Sequence, residues 1–530
     1  MSDDKPLILF ETEGSYPYSG GGVSTWAHIL CTELKEKVDF HLLAITGNPY
    51  VESRYRLPEN ITKIIHVPLW GVDEPSDYYD NDRPFSFQIE RKSRATKQVT
   101  LEYFKPLFED FIQCLLNPYT DVQKISDVLY GLWKYFQYYD FKQTLRQPLL
   151  WVEFKHAVLT YFEESDLKKS EEPRVFDLTF GMRWLYHFLM PIAVDVSKDI
   201  DVCHATLAGF PALSSIAAKY EYGTPGIVTD HGVYMRERLI NIGQADMPYF
   251  SKRLLVDLST LVSRAVYYTA DQISPVTTAN KEWEKRFEAD EKNIVPIYNG
   301  VNTDLFKPTP KPRQTENTPT VIAVAQVFPL KDIETMIRTA ALVREEIPEV
   351  QFKVYGSLEV DKPYVKKCRE LIKELDLEST FEFGGFHDQP SQIFNEGDIS
   401  ILTSISEGFP YTVIESMSCG RPVVATDVGG IRDALEGCGI LCKPRDPKDI
   451  SAGVIKLLKD DDLRLEYGQK ARERVLLTFK TEISVDAYYE SYIRLKEKPR
   501  KPFKEHVKVE SVKNLLMHLD SIEEEAAHVG

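Results

Sequence analysis

Two carboxylates and one cation carry the most specific chemistry in this sequence. Glu407 and Glu415 stand eight positions apart in ILTSISEGFPYTVIESMSCGRPVVATDVGG (401–430), and Lys331 ends the loop VFPLK (327–331). The spacing of Val413, Ile414 and Met417 predicts a short helix over Tyr411 to Cys419, stopped by Gly420 and Pro422. A helix N-terminus presents unpaired N–H groups and a positive dipole end, so it suits a phosphate. A carboxylate one turn further on can accept hydrogen bonds from ribose hydroxyls, and one before the turn can hold the hydroxyls of a sugar. Lys331 lies where a strand passes into a helix, a place for a cation to meet a diphosphate. Two glutamates at this spacing are by themselves common surface residues; their flanks single them out.

The N-terminal half offers a second group. Leu7 to Thr12 reads as a buried strand, the loop Glu13 to Gly22 ends in Gly20, Gly21 and Gly22, and a helix follows with Val23, Trp26, Ala27, Leu30 and Leu34 on one face. Strand, glycine loop and helix form a phosphate-approach architecture, although a glycine turn here is equally a plain structural device. The spacing is not that of a dinucleotide fingerprint. The strand in PGIVTDHGVY (225–234) delivers Asp230 and His231 at its carboxyl end, where ligands sit in open α/β sheets, and Arg236 and Arg238 follow. His204 ends the strand in IDVCHAT (200–206). Each histidine reads either as a satisfied core residue or as a group facing a ligand, while His28, His41 and His66 read as structural.

The elements that position these residues alternate strand and helix in both halves, predicting α/β architecture. Predicted strands include Phe40 to Ile45, Ile61 to Val67, Asn293 to Ile297, Thr320 to Gln326, 350–355 and 380–383, the last followed by a glycine turn at Gly384 and Gly385. From about Trp70 to Lys198 the rhythm breaks into an aromatic-rich, mostly helical insertion. Its stretch LYGLWKYFQYYDF (129–141) reads as packing onto the parent domain, with an acceptor groove as the other reading. The proline-rich stretch Lys307 to Pro319 reads as a linker. The reading is an N-terminal domain over 1–305, a C-terminal domain over 318–480 closed by three helical segments, and C-terminal helices with a peripheral tail over 481–530.

The 530 residues exceed one hydrophobic core, and 43% hydrophobic with 27% charged residues is an ordinary globular composition. A net charge of −17 argues against nucleic acid or an anionic membrane as a general partner, so any phosphate site must be built locally. The acidic start predicts no signal peptide, no apolar run predicts a membrane span, and seven scattered cysteines read as reduced thiols rather than zinc ligands, consistent with a cytoplasmic protein.

The block S-x-x-EGFP-x-x-x-x-E-x-M-x-CG-x-PVVATDVGG closely resembles the donor-sugar signature of the retaining glycosyltransferases of family 4. TEGSYPYSGGGVSTWAHIL, TDHGVYMRER, IYNGVNTDLF and VFPLKD resemble that family in the same order. The N-terminal loop, the HG-x-Y-x-RER segment and the aromatic insertion look most like the PelF subgroup of exopolysaccharide synthesis. The resemblance implies the GT-B fold, two Rossmann-like doubly wound domains facing a cleft. It implies a UDP-sugar donor, most often UDP-glucose, a glycan acceptor, no metal or cofactor, and a membrane-bound polysaccharide-export complex as partner.

By position, the resemblance assigns Gly21, Gly22 and Lys331 to the diphosphate and Glu415 to the ribose. It assigns Glu407 and the backbone of Gly408, Phe409, Pro410, Tyr411 and Thr412 to the sugar and distal phosphate. His231 faces sugar and acceptor, with His204, Arg236 and Arg238 as further acceptor-side candidates. One departure stands out. The family usually has Gly-Arg where this chain has Ala325 and Gln326, so a neutral donor replaces a charged one at the diphosphate. A charged hydrogen bond contributes roughly 1.5–3 kcal/mol against about 1 for a neutral one. Weaker donor binding or slower transfer follows. A nucleotide-sugar-binding scaffold or sensor with little turnover is therefore the competing reading, and an epimerase or phosphorylase on the same fold is a third.

Overall fold

The computed structural model describes residues 5–165, 171–311, 318–387 and 389–529. The chain forms two compact units. One comprises Met1–Ser274, Lys281–Val295 and Tyr489–Gly530, the other Pro275–Asn280 and Pro296–Tyr488. Part of the expected linker, 312–317, lies outside the described residues.

The first unit is built on a six-stranded sheet of β1 (Leu7–Glu13), β2 (Asp39–Thr46), β3 (Ile61–Pro68), β4 (Val202–Ala205), β5 (Gly226–Asp230) and β6 (Gln272–Pro275), in the order β3-β2-β1-β4-β5-β6. The pairs β2–β3, β1–β2, β1–β4 and β4–β5 are parallel. Every residue of β4 and β5 is buried, as expected of strands covered by helices on both faces. Strand order reverses between β1 and β4, which opens a crevice at their carboxyl ends.

Between β3 and β4 lies the helical insertion, whose longest helices are Lys105–Leu116, Val122–Tyr138, Pro148–Glu164 and Val175–Phe188. Its aromatic stretch is structural. Tyr130, Trp133, Tyr135, Phe136, Tyr139 and Phe141 are all buried. Trp133 Nε1 donates to the Val194 carbonyl at 2.8 Å, and Tyr130 Oη donates to Glu221 at 2.6 Å while its ring stacks on Tyr220.

The second unit repeats the plan with β7 (Thr320–Val324), β8 (Gln351–Tyr355), β9 (Phe381–Gly385), β10 (Ile399–Leu402), β11 (Val423–Thr426) and β12 (Ile440–Cys442), ordered β12-β11-β10-β7-β8-β9 and parallel throughout. Its switch point lies between β7 and β10.

Four expectations need correction. Asn293 to Ile297 is not a strand; it makes one bridge, Ile294 to Ile273, after a short 3-10 turn. Gly384 and Gly385 complete β9 instead of turning the chain, and a Cβ on Gly384 would lie 2.4 Å from the Tyr355 ring, so packing explains that glycine. Four helices rather than three lie between Gly430 and Lys496, with the three-residue β12 between the first two. Finally, the C-terminal segment is not peripheral. In helix Glu510–Val529, Val512, Leu515 and Leu519 are buried in the core of the first unit, and the backbone N–H of Lys508 donates to Asp127 at 2.7 Å.

Replacing a fully buried leucine by alanine costs about 2–5 kcal/mol where the core cannot collapse around the gap. Leu515→Ala is expected to destabilise the first unit by that amount in urea unfolding. An unchanged midpoint would mean that the last helix is dispensable.

Candidate functional site

In the second unit, the chemistry-bearing residues converge at the switch point because they follow the two strands that diverge there. After β7 come exposed Gln326 and then Lys331, in a 3-10 turn over Pro329–Lys331. After β10 comes the loop 403–410 and the helix Tyr411–Ser418. Lys331 Nζ meets Glu407 Oε1 at 2.5 Å, and Ser404 Oγ donates to the same oxygen at 2.5 Å. The pair is mostly buried, with side-chain exposures of 21% and 11%, so neighbouring groups hold it. Thr403 Oγ1 donates to the carbonyls of Lys331 and Asp332, and the Ile405 N–H to that of Leu330, binding the two loops together.

Two glycines let backbone approach backbone here. At Gly429 φ is +53° and a Cβ would lie 1.9 Å from the Glu407 carbonyl oxygen; at Gly356 φ is +156° and a Cβ would lie 2.0 Å from that of Ala325. Phe409 is anchored, not presented. Its buried ring packs on Tyr298 and Phe479, and its carbonyl accepts from Asn299 Nδ2 at 3.2 Å. That anchor sets the direction of the helix, whose N-cap, Pro410, supplies no side-chain acceptor. The first N–H groups, at Tyr411 and Thr412, are thus open to an anion beside Gly408. One turn on, burial pushes the Glu415 carboxyl up to about 7.

In the first unit, β1 ends at Glu13 and the loop after it starts at Gly14. Gly21, with φ +135° and ψ 177°, is the N-cap of helix Gly22–Glu33, and open space surrounds its Cβ direction. Backbone conformation, not crowding, requires glycine there. Gly20, Gly21 and Gly22 are exposed. His231 follows β5 and packs edge-on against Trp26 of that helix, ring centroids 4.4 Å apart, so the glycine loop and His231 belong to one neighbourhood. Burial lowers the His231 pKa to about 3, so its ring is neutral at pH 7, able to donate or accept a hydrogen bond but not to supply a charge.

His204 is placed differently from the acceptor-side expectation. It is fully buried, one ring nitrogen bonding Tyr492 Oη at 2.6 Å and the other Thr229 Oγ1 at 2.8 Å, against the rings of Phe10 and Trp26. That is a core histidine. A strand-end position could not reveal it, because its partner Tyr492 is 288 residues away. Arg236 and Arg238 lie on helix Tyr234–Gln244. Arg238 sits over the rings of Tyr234 and Phe188 and offsets part of the burial that pushes the Glu13 carboxyl up to about 6.

Among the buried polar atoms at the carboxyl ends of β1 and β5 that make no hydrogen bond among the described residues are Glu13 Oε2, Ser15 Oγ, Asp230 Oδ1 and His231 Nε2. Buried polar groups are normally paired, so these mark a place where a ligand can bond. Glu13, Ser15 and the pairing role of Ser404 escaped the sequence reading, since nothing in a strand-end glutamate or a loop serine separates it from its many bland counterparts.

Residues 7–292 match the family described as "Domain of unknown function (DUF3492)", over more than half of the chain. The chain belongs to that family. Residues 307–474 match "Glycosyl transferases group 1", a range that contains Gln326, Lys331, Glu407 and Glu415. Among curated proteins, this DUF3492 chain is 28% identical over 180 residues to N-acetyl-alpha-D-glucosaminyl L-malate synthase of Bacillus anthracis, covering 34% of this chain and 46% of that one. It is 26% identical over 261 residues to D-inositol 3-phosphate glycosyltransferase of Thermobispora bispora, covering 46% and 59%. It thus spans about half the length of these relatives. Among solved structures, Anabaena Alr3699/HepE in complex with UDP superposes with a TM-score of 0.58 at 15% identity, covering 93% of this chain and 100% of that one. Sucrose-phosphate synthase of Thermosynechococcus elongatus superposes with a TM-score of 0.57 at 17% identity, covering 93% and 99%. The two parallel six-stranded sheets and these likenesses show the GT-B fold. Among the described residues, no helix is long and apolar enough to cross a membrane, and all seven cysteines are buried free thiols.

Two outcomes are expected. A carboxyl carbon titration by NMR should place Glu415 near 7; a midpoint in the usual range of 4 to 5 would mean that its surroundings are wet. Gly429→Ala should lower stability by about 1–3 kcal/mol through backbone strain alone, and further through the close approach to Glu407. An unaltered melting temperature would refute the required contact.

Proposed function

We propose that this chain is a retaining glycosyltransferase of family 4, similar to the PelF subgroup, moving a hexose from a UDP-sugar to a glycan acceptor in exopolysaccharide synthesis. UDP-glucose is the favoured donor. The observation that carries the reading is the Lys331–Glu407 pair at 2.5 Å beside an open helix N-terminus at the switch point of the second sheet. The UDP held by the Anabaena neighbour supports a UDP-linked donor.

In this reading the diphosphate lies against the Tyr411 and Thr412 N–H groups and Lys331. As the bond from the sugar to the diphosphate breaks, negative charge grows on the leaving phosphate, and these donors stabilise it without having to reorganise. Glu407 both fixes Lys331 and accepts from sugar hydroxyls. Glu415 accepts from the ribose. Gly21 and Gly22 offer backbone to the diphosphate. Glu13, Ser15 and His231 have the unpaired atoms that sugar or acceptor hydroxyls would satisfy. The acceptor attacks on the face that the nucleotide leaves, so configuration is retained by positioning. No metal or cofactor enters this scheme, the site is reached from the cytoplasm, and a membrane-bound export complex takes the product. Gln326 favours one other reading, a nucleotide-sugar-binding scaffold with little turnover.

The test is UDP release from a panel of UDP-sugars with and without acceptor glycans, beside calorimetric UDP binding. One preferred sugar with UDP release is expected; binding without release, unrestored by acceptor and restored by Gln326→Arg, would favour the scaffold. Lys331→Ala should lower turnover on the order of 100- to 1,000-fold with the fold intact, the scale for losing one oriented charge donor. An unchanged rate would move the diphosphate elsewhere. Glu415 is the better acceptor when ionised and protonates below about 7. UDP affinity should therefore fall as pH drops through that value, and Glu415→Gln should flatten the dependence.

A further inference from the structure

A second concave site lies in the first unit, inside the insertion. A cavity of about 490 Å³ is lined by Trp151, Tyr186 and His187, by Arg146 and Arg183, and by Thr179, with an apolar wall at its back. That volume is within the range of small-molecule sites. The cavity is anchored beyond the carboxyl end of β3: His187 Nδ1 bonds the Leu69 carbonyl, and its ring lies tilted against Trp70 at 3.8 Å between centroids.

The lining is chemically one-sided. It presents ring faces and donors, and no carboxylate. Neither Arg146 nor Arg183 makes an ion pair or side-chain hydrogen bond among the described residues, whereas Lys142 and Lys92 of the same insertion are both held by Glu74. Arg183 lies over the Phe180 ring at 5.8 Å and next to His187, whose pKa burial lowers, so the ring adds no charge at pH 7. Arg146 acts electrostatically on Tyr186, from the other part of the lining. In a chain of net charge −17, two arginines left without carboxylates beside an aromatic-walled cavity invite an anion with a flat ring face.

We infer that this cavity binds a small ring-bearing anion, a ring that stacks on Trp151 and Tyr186 with a phosphate or carboxylate held by Arg146 and Arg183. This chemistry is shared by nucleoside monophosphates, sugar phosphates and uronic acids. It does not depend on the proposed transfer reaction, because every lining residue lies within 72–187.

The test is a calorimetric titration of the full chain with AMP, glucose 6-phosphate and glucuronic acid, each in saturating UDP, with glucose as the neutral control. At least one anion should bind at submillimolar concentration, and the identity of that anion distinguishes the source. Arg146→Ala with Arg183→Ala should weaken it by roughly 10-fold or more, the loss of charged hydrogen bonds, and Trp151→Ala should weaken it as well. Arg146 and Arg183 are exposed, so the double variant should keep its circular dichroism and melting temperature. The inference is overturned if no anion binds, if glucose binds equally, or if the folded double variant binds as before. A chain that fails to bind UDP yet binds the anion would separate this site from the transfer reading.

Discussion

The contact between Lys331 and Glu407 closes the gap that the sheet topology of the second unit creates. β7 and β10 are neighbours whose onward connections run in opposite directions, so their following loops diverge and leave a crevice. Left open, that crevice would expose the ends of two buried strands. The 2.5 Å ion pair, the Ser404 hydroxyl on the same carboxylate and the Thr403 bonds to two loop carbonyls tie the loops together. A mostly buried pair of this kind contributes little net stability, because desolvation offsets most of its attraction, but removing one partner leaves an uncompensated charge. Its value is therefore geometric: it fixes an ammonium group where an anion can join it.

The glycines are subordinate to that closure. Gly429 and Gly356 do not line the crevice as flexible hinges; they let the 428–430 turn and the 356–357 turn come close enough to support the two loops. The first unit meets the same topological problem differently. Its crevice, between β1 and β4, is floored by an aromatic and imidazole layer, with Phe10, Trp26 and His204 in mutual contact and His231 against Trp26. His204 reads as a candidate from its strand-end position, yet its burial and two bonds make it part of that floor. His231, one strand further along, keeps a nitrogen unpaired.

Legibility in the sequence followed the range of the interactions. Buried strands of four to eight residues, glycine-ended loops and the helix over 411–418 depend on neighbours in the chain, and they stand close to where the periodicity puts them. The Glu407 and Glu415 positions were legible for the same reason, since one loop and one helix fix both. What failed depends on distant partners. β12 is only three residues long and exists because β11 is beside it. Ile294 pairs at one point with Ile273, too little for a strand. The last helix looks peripheral because its polar face dominates its composition, whereas Val512, Leu515 and Leu519 meet the insertion and Asp127 receives the N–H groups of Lys508 and Val509. The orphaned atoms of Glu13 and Ser15 were invisible because an unmade bond leaves no trace in residue order.

The same geometry bears on Gln326, which occupies the position of a cation in the resembling family. An arginine there would sit on the loop that already carries Lys331, and two like charges at one crevice repel when no anion is present. Here Glu407 neutralises the Lys331 ammonium, so the two side chains form a balanced pair rather than an excess positive charge. In the proposed reading, a diphosphate would compete with Glu407 for Lys331, and the helix N-terminus, which carries no formal charge, would supply a larger share of the attraction. A site of that kind would bind its anion less tightly and release it more readily. That is tolerable in an enzyme whose departing product is the anion itself, and it is unfavourable in a sensor that must hold it. The substitution that first suggests a weakened enzyme is thus compatible with turnover, because in this arrangement the charge that remains is already positioned by its partner.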